Sequence, residues 1–341
     1  MHSLFTGPGN RVREREDGMI RGFLRAVTCA LTIAGAGDAL AQFGSGNVRI
    51  VFPFAAGGNA DAVARILAER ISKQTGRSAL VENITGASGH IGMRAVRDAK
   101  PDGGTLLFSP SSPMTLHEHF FGDRLTFDPF RDFAPVSQAV MFDYALAVHP
   151  NVPVASVKDF VAWLKANPSR ASFATPGAGA LGHFLGLELG QLWGLENRHV
   201  PYRGSPPAVN DLAAGHVTMA ILNTTEFAQF HNDGKLRILG TFTNKPSPFV
   251  SNVPTMREQG VEIEAYGWHA LYAPGKTPPE IISALNKIVV DTMREPAMRE
   301  RIFKMGLIAT GTSPDELRAI QQRDKDFWGP IVKRSGFKPE L

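Results

Sequence analysis

Residues 48–65, VRIVFPFAAGGNADAVAR, constrain the fold more than any other stretch of the chain. Val48, Ile50 and Phe52 supply the β-branched and aromatic side chains of a strand, and Pro53 stops its hydrogen-bond ladder. Gly57-Gly58 then allows backbone angles closed to residues with a Cβ. Asn59 or Asp61 can cap a helix that carries Val63, Ile66 and Leu67 on one face. Such a junction leaves N–H groups pointing out of a helix N-terminus, a natural seat for an anion.

The strand–turn–helix unit repeats. Residues 79–82 read as a strand, 86–92 as a glycine-rich turn, 93–99 as a helix stopped by Lys100-Pro101, and 105–108 as a strand closed by Ser109-Pro110. Strands that are apolar throughout, rather than alternating, indicate a parallel sheet covered on both faces. A looser stretch follows, with Phe120, Phe121, Phe127, Phe130 and Phe133 among Pro and Asp. With no basic groove beside them, these rings read as core filler and not as a base-stacking platform. From Tyr144 the rhythm resumes with strands at 144–149, 171–174, 199–202, 217–222, 236–241 and 267–274. Helices are expected at 157–166, 183–193, 207–214, 226–232, 279–293, 298–305 and 314–328.

A chain of 341 residues is expected to form about two domains. No low-complexity linker separates them, so the chain is expected to cross between domains within strands, near 145–150 and 243–268. The expected fold class is α/β, with two domains, each a mostly parallel sheet flanked by helices, and a cleft between them. Residues 42–147 plus 268–341 would form the first domain, with the terminal helices packed on it, and 148–267 the second.

The N-terminus reads as an export signal. Arg21 and Arg25 precede an uncharged apolar run, 26–37, and Ala39-Leu40-Ala41 offers small residues where a signal peptidase cuts. Cleavage after Ala41 leaves Gln42 first, and the front before Met19 is long enough that Met19 rather than Met1 can be the start. The apolar run of 12 residues is too short for a bilayer, which needs about 20. The single cysteine, Cys29, lies inside this segment, so the mature chain would have no thiol for disulfides, nucleophilic catalysis or metal ligation.

Catalytic and nucleic-acid readings find little support. The net charge of +4 is small, and no long Lys/Arg run suggests nucleic acid. No G-x-S-x-G elbow or H-E-x-x-H pair is present, and His117 and His119 stand two apart without further metal ligands. Neither a metal nor another cofactor is expected. Gly177-Ala178-Gly179-Ala180-Leu181-Gly182 matches the dinucleotide fingerprint. Pro176 stiffens its entry, however, and no acid ends the next strand, which runs into Tyr202-Arg203-Gly204. Its backbone amides still make an anion nest. Three nests are therefore expected at strand ends, over residues 55–61, 175–183 and 202–205, where an open α/β sheet places its ligand crevice. Arg203 is a surface residue or a planar fork for a carboxylate, and His183 packs, caps a helix or donates to a ligand. Asn223-Thr224-Thr225 ends a strand at the same edge and can serve as a helix cap.

The blocks RIVFPFAAGGNAD, VENITGASGHIG, KPDGGTLLF, ATPGAGALGH and VPYRGSPPAVNDLAAGHV, followed by VPTMREQG and APGKTPPEIISALN, carry a resemblance. In this order and over residues 47–319 the chain resembles the substrate-binding proteins of tripartite tricarboxylate transporters, the Bug family. The resemblance implies a periplasmic Venus-flytrap receptor, two domains closing on a small carboxylate, and membrane permease subunits as partners. A monomer is the family default. A periplasmic ligand sensor without transport is the alternative reading. The family's first glycine loop falls on Pro53, Ala55 or Ala56, Gly57, Gly58 and Asp61, its second on residues 175–183, and its V-P-Y-[KR]-G on Val200 to Gly204. The candidate ligand contacts are thus Phe54, Ala55, Ala56, Gly57, Gly58, Asn59 and Ser109 on the first domain. On the second they are Thr175, Gly177, Ala178, Gly179, Ala180, His183, Tyr202, Arg203, Gly204, Asn223 and Thr224, while Asp61 is expected to cap its helix. Many relatives carry Asp where this chain has Asn223, and loss of that acid argues against a ligand amino group and for a di-, tri- or aromatic carboxylate.

Overall fold

A computed structural model describes residues 46–339; the expected export signal, its expected cleavage point and Cys29 lie outside them. β1 (Val48–Phe52) is buried along nearly its whole length, and α1 (Asn59–Thr75) lays Val63, Ile66, Leu67 and Ile71 against it. β2 (Ala79–Asn83) and β3 (Thr105–Pro110) flank β1 in parallel, with α2 (His90–Arg97) between them in sequence. The short helices α3 (Ser111–Thr115) and α4 (His117–Phe121) follow.

β4 (Phe133–Val148) is 16 residues long, whereas the sequence pattern places its start at Tyr144. Pro135, Ser137 and Gln138 break the apolar run, but their surroundings satisfy them. Ser137 Oγ donates to the Thr312 carbonyl at 2.7 Å and Thr312 Oγ1 accepts from the Gln138 amide at 2.9 Å. The second half of the sequence adds α5 (Val157–Ala166), β5 (Ser172–Thr175), α6 (Leu181–Trp193), β6 (Arg198–Pro201) and α7 (Ser205–Ala213). β7 (Met219–Asn223), α8 (Thr224–Asn232) and β8 (Arg237–Thr241) precede β9 (Tyr266–Pro274). The chain then runs through α9 (Pro279–Arg294), α10 (Pro296–Lys304), β10 (Ile308–Ala309) and α11 (Pro314–Ser335).

The strands join in the order β2-β1-β3-β9-β4-β7-β5-β6, with β8 and β10 also on β4. The outer pairs are parallel, as the apolar runs require, but β4 and β9 run antiparallel to their neighbours. β4 pairs with β9 up to Asp143 and with β7 from Tyr144, so two adjacent residues of one strand belong to two halves of the sheet. Each half has its own cores. Val48, Ile50, Leu67, Leu285 and Val289 pack on one side, and Leu146, Phe160, Phe173, Phe184 and Leu189 on the other.

α11 departs from the expected packing on the first half alone. Its capping box, Ser313 with Glu316, starts a helix of 22 residues that continues through Pro330. Leu317 lies in the first half's core, while Trp328, Ile331 and Val332 lie in the second's, and Arg334 pairs with Glu188 on α6. The helix is simply long enough to span both.

α6 meets β7 at close range. A Cβ at Gly182 would lie 2.7 Å from the Ile221 carbonyl oxygen, so only glycine lets the helix start there. Gly182→Val is expected to destabilise the fold by about 3 kcal/mol through overpacking, measured as a lowered urea midpoint at unchanged slope.

Candidate functional site

Three strand ends supply the candidate site, and their hydrogen bonds decide which amides are left without an internal acceptor. In the first loop, residues 55–59 are exposed and Gly57 sits at φ +98°. Gly58 is the N-cap of α1, without a side-chain cap, so neither Asn59 nor Asp61 caps this helix as expected. Asp61, 4% exposed in the first turn, instead reaches back and accepts from the Gly57 amide at 3.2 Å. Arg65 Nε donates to the same carboxylate at 2.9 Å and Asn83 Nδ2 at 3.0 Å, and Asn83 also donates to the Phe54 carbonyl. Burial alone would raise the Asp61 carboxyl, but Arg65, Asn83 and the Gly57 amide together hold it below the ordinary aspartate value. The Gly57 amide is therefore already engaged within the loop. The amides of Gly58, Asn59 and Ala60 have no internal acceptor among the described residues and point out of the helix start.

The second loop is braced from within. Thr175 is buried; its hydroxyl donates to the Gly177 carbonyl at 3.1 Å and lies 2.6 Å from His199 Nε2. His183 Nδ1 accepts from the Gly179 amide at 3.2 Å, which assigns its proton to Nε2, and its ring stacks on His199 at 3.9 Å. Burial, with His199 beside it, pushes His183 down to about 3, and burial pushes His199 down to about 4; both are neutral. The amides of Gly177, Ala178 and Ala180 have no internal acceptor among the described residues.

The third loop is a zip more than a nest. The Tyr202 amide donates to the Thr175 carbonyl and the Gly204 amide to the Pro176 carbonyl, at 2.9 and 3.0 Å. Tyr202 Oη donates to Asp211 at 2.7 Å, so its hydroxyl serves α7. What this loop presents is Arg203, exposed and without an ion-pair partner among the described residues. Arg203→Ala is expected to weaken binding of a small carboxylate about tenfold without moving the melting temperature, measured by isothermal titration.

Other expected contacts are engaged elsewhere. Ser109 is fully buried, with its hydroxyl on the Pro110 carbonyl at 2.9 Å. Asn223 Oδ1 accepts from the Thr225 amide at 3.1 Å and caps α8. Thr224 is fully buried, facing Asp143. His117 bonds His90 at 3.1 Å inside a cage of phenylalanines, and burial pushes it down to about 3. No cluster of three metal-ligating side chains occurs among the described residues.

Two features escaped the sequence reading. Asn59 Nδ2 donates to the Met305 carbonyl at 2.7 Å, and a Cβ at Gly306 would lie 2.5 Å from Thr225 Oγ1. Consecutive residues of the α10–β10 turn thus touch the first loop and the β7–α8 edge. Under the first loop, Ala87 and Ser88 hold φ of +45° and +55°, and a Cβ on the adjoining Gly89 would lie 3.2 Å from the Phe54 ring. Two consecutive left-handed non-glycine residues cost about 1 kcal/mol each and are held by their surroundings, a pattern concentrated at binding sites.

Residues 63–337 match the family model described as "Tripartite tricarboxylate transporter family receptor". The chain belongs to this family. BugT of Bordetella pertussis is 32% identical over 293 residues, 85% of this chain and 90% of its own length. Among solved structures, an R. palustris protein with adipate is 29% identical, with a TM-score of 0.75 over 87% of this chain and 99% of its own. The periplasmic binding protein BugD, 29% identical, gives a TM-score of 0.72 over 87% of this chain and 100% of its own. MatC from Rhodopseudomonas palustris with bound malate is 26% identical, with a TM-score of 0.72 over 85% and 100%. This chain has the mixed α/β fold of those binding proteins, and the family is one of solute receptors, not of enzymes.

Proposed function

We propose that this receptor is exported to the periplasm, captures a small organic carboxylate between its two halves and delivers it to a tripartite permease. The observation that carries the reading is the pair of glycine loops whose amides at Gly58–Ala60 and at Gly177, Ala178 and Ala180 lack internal acceptors, with the Arg203 guanidinium beside the second. Amides fixed in place before binding, and an arginine fork, are a chemistry for carboxylates. Adipate and malate, bound by two relatives, are both dicarboxylates. The halves would be 42–147 with 268–341, and 148–267, joined through β4 and β9, with α11 spanning both. Candidate contacts are Phe54, Ala55, Ala56, Gly58, Asn59, Gly177, Ala178, Ala180, His183 through Nε2, and Arg203. A ligand that prefers the closed form stabilises it by the difference in affinity. A thermal-shift screen of di-, tri- and aromatic carboxylates is expected to find one that raises the melting temperature by several degrees. No shift with any acid would sink the proposal.

A further inference from the structure

The first two turns of α7 and α8 border an open pocket of about 290 Å³, lined by Ser205, Pro206, Val209, Asn210, Glu226 and Phe230. It lies at the C-terminal ends of β6 and β7, directly after the loop that presents Arg203. Pro206, Val209 and Phe230 make its walls apolar, and Glu226 is the only ionisable group that lines it among the described residues. Glu226 Oε2 is buried and has no hydrogen-bond partner among the described residues. Burial raises this carboxyl, against a weaker pull from the Ser205 hydroxyl. Buried polar atoms are rarely left unpaired, and the soft terminal torsion of a glutamate lets either oxygen turn to the pocket.

We propose that this pocket receives the far end of the bound acid, and that Glu226 selects there an ammonium or hydroxyl group on a short apolar stem over a second carboxylate. The proposal rests on the carboxylate reading above: Arg203 holds the acid at the mouth while the stem passes between Val209 and Phe230. A second carboxylate would face Glu226 with no Lys or Arg lining the pocket to offset the like charges. A donor group instead completes the orphaned oxygen. The inference also reverses one drawn from Asn223. The acid missing at that position is supplied one turn further into α8, so an amino-bearing ligand is restored as a class.

The test is titration calorimetry with length-matched triplets: succinate, 4-aminobutanoate and 4-hydroxybutanoate, then adipate, 6-aminohexanoate and 6-hydroxyhexanoate. In one triplet the amino or hydroxy acid is expected to bind about tenfold more tightly than the diacid. Glu226→Gln should erase most of that preference, and Asn210→Lys, at an exposed lining position, should swing it toward the diacid. A diacid preferred by the unaltered protein, or a preference unchanged in both variants, overturns the pocket assignment and leaves the carboxylate reading standing. Failure of every acid to bind overturns both.

Discussion

Replacing Asp61 by alanine is expected to lower the unfolding free energy by about 3 kcal/mol and to weaken carboxylate binding at least about tenfold. The carboxylate is nearly buried and gathers Gly57, Arg65 and Asn83. Its loss leaves Asn83 half satisfied and frees the Gly57 backbone, so the amides of Gly58–Ala60 no longer hold one orientation. Arg65 is exposed, so most of the stability effect is assigned to the buried hydrogen bonds and little to the ion pair. The pH dependence has a definite sign. Because the folded carboxyl lies below its unfolded value of about 3.9, its contribution is full above that pH and is lost as pH falls toward the lowered folded value. Urea unfolding of Asp61→Ala and the parent at pH 7 and pH 3 checks this. A difference that is the same at both would show that the charge plays no part.

The same residue shows where the sequence was legible. Val48, Ile50, Gly57 and the apolar face of α1 signal their structure locally, because strand propensity, left-handed glycine and helical periodicity are properties of short windows. What Asp61 does depends on Asn83, at the end of the next strand, and no spacing in the sequence encodes that contact. Tyr202 and Gly204 read as a third nest for the same reason, because the pairing of their amides with the carbonyls of Thr175 and Pro176 is a tertiary contact. The first part of β4 was invisible because Ser137 and Gln138 are satisfied by Thr312, far along the chain. The Met305–Gly306 bridge and the strain at Ala87-Ser88 likewise arise from tertiary contact alone.

Asp143→Asn is expected to raise the melting temperature at pH 8 by about 4 °C, equivalent to about 2 kcal/mol, and to change it little at pH 4. Asp143 is fully buried at the point where β4 passes from β9 to β7, and neither oxygen has a hydrogen-bond partner of normal geometry among the described residues. Burial raises its carboxyl, and the nearby hydroxyls of Ser247 and Thr224 and its own amide offset this only in part. A raised folded value means that the native state holds the proton more tightly than the unfolded chain. Stability is then greatest below the unfolded value of about 3.9 and falls as pH rises through the folded one. An asparagine removes the charge and keeps the shape. Equal melting shifts at pH 4 and pH 8 would contradict this origin.

A crystal structure of the protein with the carboxylate that stabilises it most tests the ligand grip directly. One carboxylate oxygen is expected about 2.9 Å from the amides of Gly58, Asn59 or Ala60, and the opposite side of the same molecule against the amides of Gly177, Ala178 or Ala180 and the Arg203 guanidinium. Ligand density outside both loops, or loops whose amides still face water beside a bound acid, would contradict it.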